Sequence, residues 1–189
     1  MRNALLNKAL KLDINRHYIN RYAYLGNALC ENSHTYLPDV ELDYDKKQSV
    51  LADIKSIKVG FCIVSKAKLS RHYPTIHTAE VIYLLNQQLQ KTTSFYMLGA
   101  PEEISEAEQV VCLCQEKGIV NTHSLAGKTT ITQLIDTIAD LDLLITVDSG
   151  PLHVAAATKT TTIALQSKGT SPFSNVCPKG MQVTVINNA

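Results

Sequence analysis

The chain has 189 residues, of which 45% are hydrophobic and 19% are charged, and its formal net charge is +1. That length suits one ordinary domain that carries an additional arm. The near-zero charge argues against a general nucleic-acid binder, which usually has a basic face. Every apolar run is shorter than the roughly 18–20 residues of a membrane span, and polar residues interrupt any signal-peptide core. We therefore expect a soluble, cytosolic globular protein.

The five cysteines do not form a disulfide or metal-binding pattern. Their number is odd and their spacing is irregular, unlike the framework of a secreted protein. Cys112 and Cys114 lie two residues apart in a helical pattern, so they point to different faces and make a poor metal pair. We interpret the cysteines as ordinary semi-buried thiols and expect no metal site.

The beginning of the chain predicts a helical arm. Residues 14–29 have large side chains at helical spacing, so this helix should lie against an apolar surface. These side chains belong to Tyr18, Tyr22, Leu25 and Leu29. A second, polar helix is predicted from about Asp45 to Asp53. We therefore divide the chain into a helical arm or interdomain segment, residues 1–53, and a main domain, residues 54–189.

The main domain alternates predicted strands with predicted helices. The predicted strands are residues 57–64, 94–98, 120–125, 143–147, 161–165 and 182–186. The predicted helices begin near Thr75, Glu102, Thr130 and Pro151. Thr130–Gln133 predicts a capping box, and the buried stripe predicted for that helix is Ile131, Leu134, Ile135 and Ile138. Most of the strand interiors are apolar, which is typical of parallel strands buried on both faces. The pattern predicts an α/β fold with a Rossmann-like parallel sheet of about six strands and a site at their carboxyl ends.

The most informative segment runs from Asp148 to Ala157, where a buried strand passes into a helix. Ser149 can cap that helix, Gly150 lets a ligand approach the backbone, and Pro151 suits a first helical turn. Free N–H groups and the helix dipole favour an anion such as a diphosphate there, and His153 can donate to a phosphate oxygen. The alternative is that Asp148 and Ser149 only cap a helix and that His153 is a partly buried, satisfied side chain.

Two further loops should reach the same edge of the sheet. Residues 65–74 carry three cations, including Arg71, and either neutralise a bound anion or are simply solvated. Glu102 and Glu103 follow the second strand and can accept hydrogen bonds from ribose hydroxyls. Alternatively, they stabilise the helix dipole, which is worth roughly 0.3–1 kcal/mol without any ligand.

Taken in chain order, these segments resemble a known family. They are His17–Tyr22, Arg71–Pro74, Leu98–Glu103, Leu125–Thr129, Asp148–Ala157 and Ile163–Leu165. Together they resemble the C-terminal half of a family 9 glycosyltransferase, the lipopolysaccharide heptosyltransferase group, over nearly the whole chain. The resemblance implies the C-terminal, donor-binding domain of the two-domain GT-B architecture.

The resemblance also implies roles for individual residues. The implied donor-binding residues are Arg71, Glu103, Asp148, Ser149, Gly150 and His153. The Ser149–Gly150 turn and His153 would hold the diphosphate of ADP-heptose. Arg71 matches a basic position that neutralises phosphate charge, and Glu103 matches the carboxylate that holds the ribose. The implied reaction is an inverting displacement at the anomeric carbon with ADP as leaving group, without a metal or a cofactor beyond the substrate.

The chain departs from the family pattern in three ways. The N-terminal domain with the acceptor site and the catalytic base is missing, so no catalytic residue is assigned. Val64–Ala67 replaces a Pro-Gly loop, and Gln166–Gly169 replaces a Phe-Gly-Pro segment. We expect a glycosyltransferase domain for lipopolysaccharide core, given as a truncated reading frame, as a cloned domain or as half of a split enzyme with a separate N-terminal half. The alternative is a non-catalytic nucleotide- or partner-binding remnant. The expected location is the cytoplasm, with peripheral contact at the inner membrane as an open alternative.

Overall fold

The structure is a computed structural model. It describes residues 18–29, 44–51, 55–64, 72–89, 92–166, 177–178 and 183–187. Contacts divide the chain into a smaller unit, Met1–Val40 with Ser171–Cys177, and a larger unit, Glu41–Thr170 with Pro178–Ala189. The larger unit contains the whole sheet. The domain boundary that the sequence predicts after residue 53 stays a prediction.

Strands and helices alternate along the larger unit. The strands are β1 (Ile57–Cys62), β2 (Thr93–Met97), β3 (Thr122–Ser124), β4 (Leu143–Val147), β5 (Thr162–Gln166) and β6 (Val183–Asn187). The helices are α1 (Tyr18–Leu29), α2 (Thr75–Gln88), α3 (Ile104–Glu116), α4 (Ile131–Ala139) and α5 (Gly150–Ala157), and a 3₁₀ turn, Pro101–Glu103, precedes α3. Helix α1 belongs to the smaller unit. Among the described residues, no helix has the length and apolar character needed to cross a bilayer.

The six strands form one sheet in the order β3-β2-β1-β4-β5-β6. Every pair of neighbours is parallel. Strand β1 lies between β2 and β4, with Phe61 opposite Met97 on one side and Ile145 on the other. The predicted α/β fold with a Rossmann-like parallel sheet is therefore confirmed. Its chain order reverses at β1, so the carboxyl ends of β1, β2 and β4 lie next to one another.

Apolar cores cover both faces of the sheet. On one face, Phe61, Phe95 and Ile82 are fully buried between the sheet and the helices α2 and α3. On the other face, Leu144 and Ile138 are buried among the strands, α4 and α5. Burial on both faces is the reason why most of the strand interiors are apolar instead of alternating.

Helix α1 confirms the helical character of the predicted arm, but its large side chains are less buried than expected. Tyr22 is 71% exposed and Leu25 is 40% exposed, so the prediction that they pack against an apolar surface is wrong for these two residues. The Arg21 guanidinium lies 4.4 Å from the centre of the Tyr18 ring. A tyrosine has an apolar ring and a polar tip, so its helical spacing does not require a buried partner.

The second predicted helix of the arm is absent from residues 44–51, which form a turn. There the backbone N–H of Gln48 donates to Asp136 Oδ2 at 3.0 Å, and that of Val50 donates to Thr137 Oγ1 at 3.3 Å. The Ser49 hydroxyl donates to Asp140 Oδ2 at 3.0 Å. These groups bind the end of α4, and N–H groups that donate to another element are not available for helical hydrogen bonds. The remainder of the predicted helix, residues 52–53, lies outside the described residues.

Helix α4 begins as the sequence predicts. Thr130 Oγ1 accepts from the Gln133 N–H at 3.2 Å, and Gln133 Oε1 accepts from the Thr130 N–H at 2.9 Å. This reciprocal pair is a capping box. Of the predicted buried stripe, Ile138 is fully buried, but Ile131 is 81% exposed. Ile131 is the first residue of the helix.

Candidate functional site

A cavity of about 570 Å³ lies at the carboxyl edge of the sheet. Three loops border it: those that follow β1, β2 and β4, together with the start of α4. Its lining residues are Cys62, Val64, Leu98, Gly99, Ala100, Pro101, Glu103, Thr129, Thr130, Ile131, Leu134, Asp148, Ser149, Gly150, Pro151 and His153. Five of the six predicted donor-binding residues are among them, so the structure brings together the segments that the sequence places at this edge.

The turn between β4 and α5 forms one wall of the cavity. Asp148 is only 7% exposed, and Ser149 is the residue that precedes the helix, with an extended backbone at φ −150° and ψ 177°. The Leu152 N–H donates to the backbone oxygen of Ser149 at 3.1 Å. Ser149 therefore has the predicted N-cap position, but its side chain makes no capping hydrogen bond, contrary to the prediction.

Gly150 and His153 present different surfaces to the same cavity. A Cβ built on Gly150 would meet no atom within 4 Å, so the backbone of the first helical turn is open on that side. His153 is an exposed lining residue, whereas the alternative expected a partly buried side chain. Its imidazole can donate a hydrogen bond from the same wall on which the first N–H groups of α5 are found.

Glu103 lies on the opposite side of the cavity, at the end of the 3₁₀ turn. Its Oε2 accepts from the Ala100 N–H at 3.0 Å. A Cβ on Gly99 would lie 2.6 Å from the same oxygen, so a side chain there would displace the carboxylate. The two alternatives for Glu103 are thus compatible, because one carboxylate both binds the turn and lines the cavity. Glu102 is exposed and does not line it.

Cys62, the last residue of β1, is a lining residue that no motif in the sequence indicates. It is buried in the cavity wall, and burial raises the pKa of its thiol, with the nearby Glu103 carboxylate raising it further. The thiol is therefore protonated and serves as an apolar part of the wall. Thr129 and Thr130 were also missed as lining residues. Their signal was the capping box, because it places a helix start at the same edge.

Arg71 lies outside the described residues, as do residues 65–70 of its loop. The loop's described end, His72–Pro74, does not line the first cavity. It lines a second cavity of about 690 Å³, on the face of the sheet that α2 covers. The expectation that this loop meets the Asp148 turn is therefore wrong for His72–Pro74. Phe61 and Cys62, adjacent on β1, line different cavities because neighbouring side chains of a strand point to opposite faces.

Carboxylate, imidazole and thiol groups are the side chains that bind metal ions such as zinc. In the part of the chain that the structure describes, no three His, Cys, Asp or Glu side chains are grouped so that they could hold an ion. The first cavity instead offers hydrogen-bond acceptors from Glu103 and Asp148, and donors from His153 and the α5 backbone. This arrangement can bind a ligand that has both hydroxyl groups and an anionic group.

Comparison with known proteins gives relatives of one kind. The chain is 30% identical to lipooligosaccharide heptosyltransferase 2 of Haemophilus influenzae over 127 residues, which is 67% of this chain and 35% of that protein. It is 39% identical over 79 residues to lipooligosaccharide heptosyltransferase 2 of Campylobacter jejuni, which is 37% of this chain and 24% of that protein. The chain thus spans about a third or less of the length of these relatives.

Solved structures show the same fold. The chain matches the ADP-heptose lps heptosyltransferase II of E. coli with a TM-score of 0.80 at 22% identity, covering 98% of this chain and 59% of that one. It matches E. coli heptosyltransferase WaaC with ADP with a TM-score of 0.66 at 18% identity, covering 96% and 53%. The family model described as glycosyltransferase family 9 (heptosyltransferase) matches residues 1–188. The chain therefore belongs to glycosyltransferase family 9, the heptosyltransferase family.

Proposed function

We propose that this chain is the donor-binding domain of a glycosyltransferase that uses ADP-heptose to extend the lipopolysaccharide core. The observation that carries the proposal is the convergence of Glu103, the Asp148–Gly150 turn and His153 on one cavity. Its volume of about 570 Å³ is typical of a small-molecule site. Two structural neighbours support the choice of nucleotide, since one is an ADP-heptose heptosyltransferase and the other was solved with ADP.

The start of α5 is the position we assign to the diphosphate. Pro151, the second residue of α5, has no N–H, and the Leu152 N–H donates to the Ser149 backbone oxygen. The groups that we assign to the diphosphate are therefore the Gly150 N–H and the positive end of the helix dipole, which favours negative charge. The open space beside Gly150 lets a phosphate approach these groups, and His153 adds a side-chain donor. Asp148 supplies an acceptor instead, so we place its carboxylate towards a hydroxyl-bearing part of the donor.

The opposite side of the cavity is the position we assign to the nucleoside. Ribose hydroxyls can donate to the Glu103 carboxylate, which the Ala100 N–H already holds in place. Leu98, Ile131 and Leu134 form an apolar part of the wall, which suits the planar surface of a nucleobase. The cavity can thus bind a nucleoside on one side and a diphosphate on the other.

The role we propose for this domain in the reaction is stabilisation of the leaving group. An acceptor hydroxyl oxygen attacks the anomeric carbon while the bond from that carbon to the β-phosphate oxygen breaks. ADP leaves with the electron pair, and the acceptor proton passes to a base. His153 and the Gly150 N–H would stabilise the negative charge that develops on the diphosphate. We assign the base and the acceptor site to a separate N-terminal half, with action in the cytoplasm.

Calorimetric titration of the purified chain with ADP tests this assignment of residues. We expect His153→Ala to weaken ADP binding by at least about tenfold, because it removes a hydrogen bond to a charged group. Asp148→Ala should have a smaller effect on ADP, because ADP lacks the sugar that we place at this carboxylate. His77→Ala is the matched control because His77 lines only the second cavity, and it should bind ADP like the parent. Equal affinity of the parent and both site variants would overturn the placement of the ligand.

A further inference from the structure

The side chain of Ser149 does not make the capping hydrogen bond that is usual for a serine at its position. A serine that precedes a helix normally accepts from the N–H of the second or third helical residue. In α5 the second residue is Pro151, which has no N–H, and the third is Leu152, whose N–H donates to the Ser149 backbone oxygen at 3.1 Å. The hydroxyl of Ser149 is therefore left at the cavity wall without a capping role.

A buried threonine lies behind that hydroxyl. Thr146, on β4, is fully buried and does not line the cavity. Its hydroxyl donates to the Val147 backbone oxygen at 2.9 Å, and its Oγ1 lies 3.4 Å from Ser149 Oγ. Because the single hydrogen of the Thr146 hydroxyl is directed to Val147, its oxygen is left to accept from Ser149.

We propose that Thr146 is a positioning residue for the cavity, and that its hydroxyl holds Ser149 Oγ in one side-chain rotamer at the wall. The proposal rests on the proposed function for its ligand, because that ligand would carry the phosphate. When a phosphoryl oxygen arrives, the hydroxyl hydrogen of Ser149 turns from Thr146 to that oxygen while the Oγ stays in place. The Ser149 side chain is thus already ordered before the ligand arrives, so binding does not cost the conformational entropy of fixing it.

Four substitutions separate positioning from simple packing. Thr146→Val keeps the volume and the β-branched shape but removes the hydroxyl, whereas Thr146→Ser keeps the hydroxyl. Thr162→Val makes the same change at another buried strand threonine, whose hydroxyl donates to the Thr160 backbone oxygen and does not line the cavity. Thr146→Ala is a second variant without the hydroxyl, in case valine prevents folding.

The first measurement is made without ligand on the full, isotopically labelled chain. Three-bond couplings between the α and β protons of Ser149 report its rotamer populations. We expect one dominant rotamer in the parent, in Thr146→Ser and in Thr162→Val, and rotamer-averaged couplings in Thr146→Val or Thr146→Ala. If the variants without the Thr146 hydroxyl keep the single rotamer of the parent, the proposal is overturned.

The second measurement is titration of the same proteins with ADP. Thr146→Val should bind about three- to tenfold more weakly than the parent, while Thr146→Ser and Thr162→Val stay within about twofold. Averaged couplings in Thr146→Val together with an unchanged ADP affinity would overturn the role in binding. If the parent itself does not bind ADP although the couplings change as expected, the proposed function fails and the positioning of Ser149 by Thr146 stands.

Discussion

Glycine suits Gly99 and Gly150, two positions at the cavity, for opposite physical reasons. At Gly99 a Cβ would lie 2.6 Å from Glu103 Oε2 and 3.1 Å from the Glu103 Cβ, so the side chain of the protein itself occupies the space. At Gly150 a Cβ would meet nothing within 4 Å. The space beside Gly150 is thus left open in the protein alone, and a ligand that approaches the backbone would fill it.

Gly150→Ala should therefore separate stability from binding. We expect unchanged or slightly higher stability, by up to about 1 kcal/mol, because alanine lowers the entropy of the unfolded chain and its Cβ meets no protein atom. ADP affinity should fall by about tenfold or more, because the Cβ occupies the side from which the phosphate approaches. Urea unfolding and calorimetric titration measure the two quantities.

Gly26→Ala is the matched control for this comparison. Gly26 lies in a helix, α1, and a Cβ there also meets no atom within 4 Å, but it does not line the cavity. It should leave ADP affinity unchanged. If Gly150→Ala and Gly26→Ala bind ADP with equal affinity, no ligand approaches the start of α5.

At the scale of the element, the capping box of α4 fixes a wall of the cavity. Thr130→Ala removes the oxygen that accepts from the Gln133 N–H. We expect the free energy of unfolding to fall by about 1 kcal/mol. Thr132→Ala, on the exposed face of the same helix, should show no such loss, since alanine favours a helix. If the two variants are equally stable in urea, the capping hydrogen bond contributes nothing.

Short sequence motifs were sufficient to predict elements whose hydrogen bonds join residues that are close together in the chain. The Thr130–Gln133 box joins residues three apart, and both of its hydrogen bonds are present. The helix predicted from Asp45 to Asp53 failed for the opposite reason. Gln48 and Val50 donate to side chains 88 and 87 residues away, and a periodicity analysis does not detect such partners. Helical spacing shows which side chains share a face, but not which of them lies at a cavity. Ile131 was therefore predicted to be buried, although it is exposed and lines the first cavity.

For the whole molecule, the parallel topology was the decisive prediction. It required the loops after β1, β2 and β4 to share one edge, and Glu103 and the Asp148–Gly150 turn do line one cavity there. The topology did not determine the course of a loop after it leaves its strand. His72–Pro74 follow β1 yet line the second cavity on the α2 face. Cys62 was missed because nothing distinguishes the last residue of an apolar strand from the rest of its core.

The central claim is that the first cavity is a site for a nucleoside diphosphate that prefers adenine. Calorimetric titration of the purified chain with ADP, UDP and GDP in parallel tests it most directly. The account predicts saturable one-to-one binding of ADP, with UDP and GDP at least about tenfold weaker. Folding of the sample is checked by circular dichroism. A folded chain that binds none of the three nucleotides, or binds them equally, would contradict the claim.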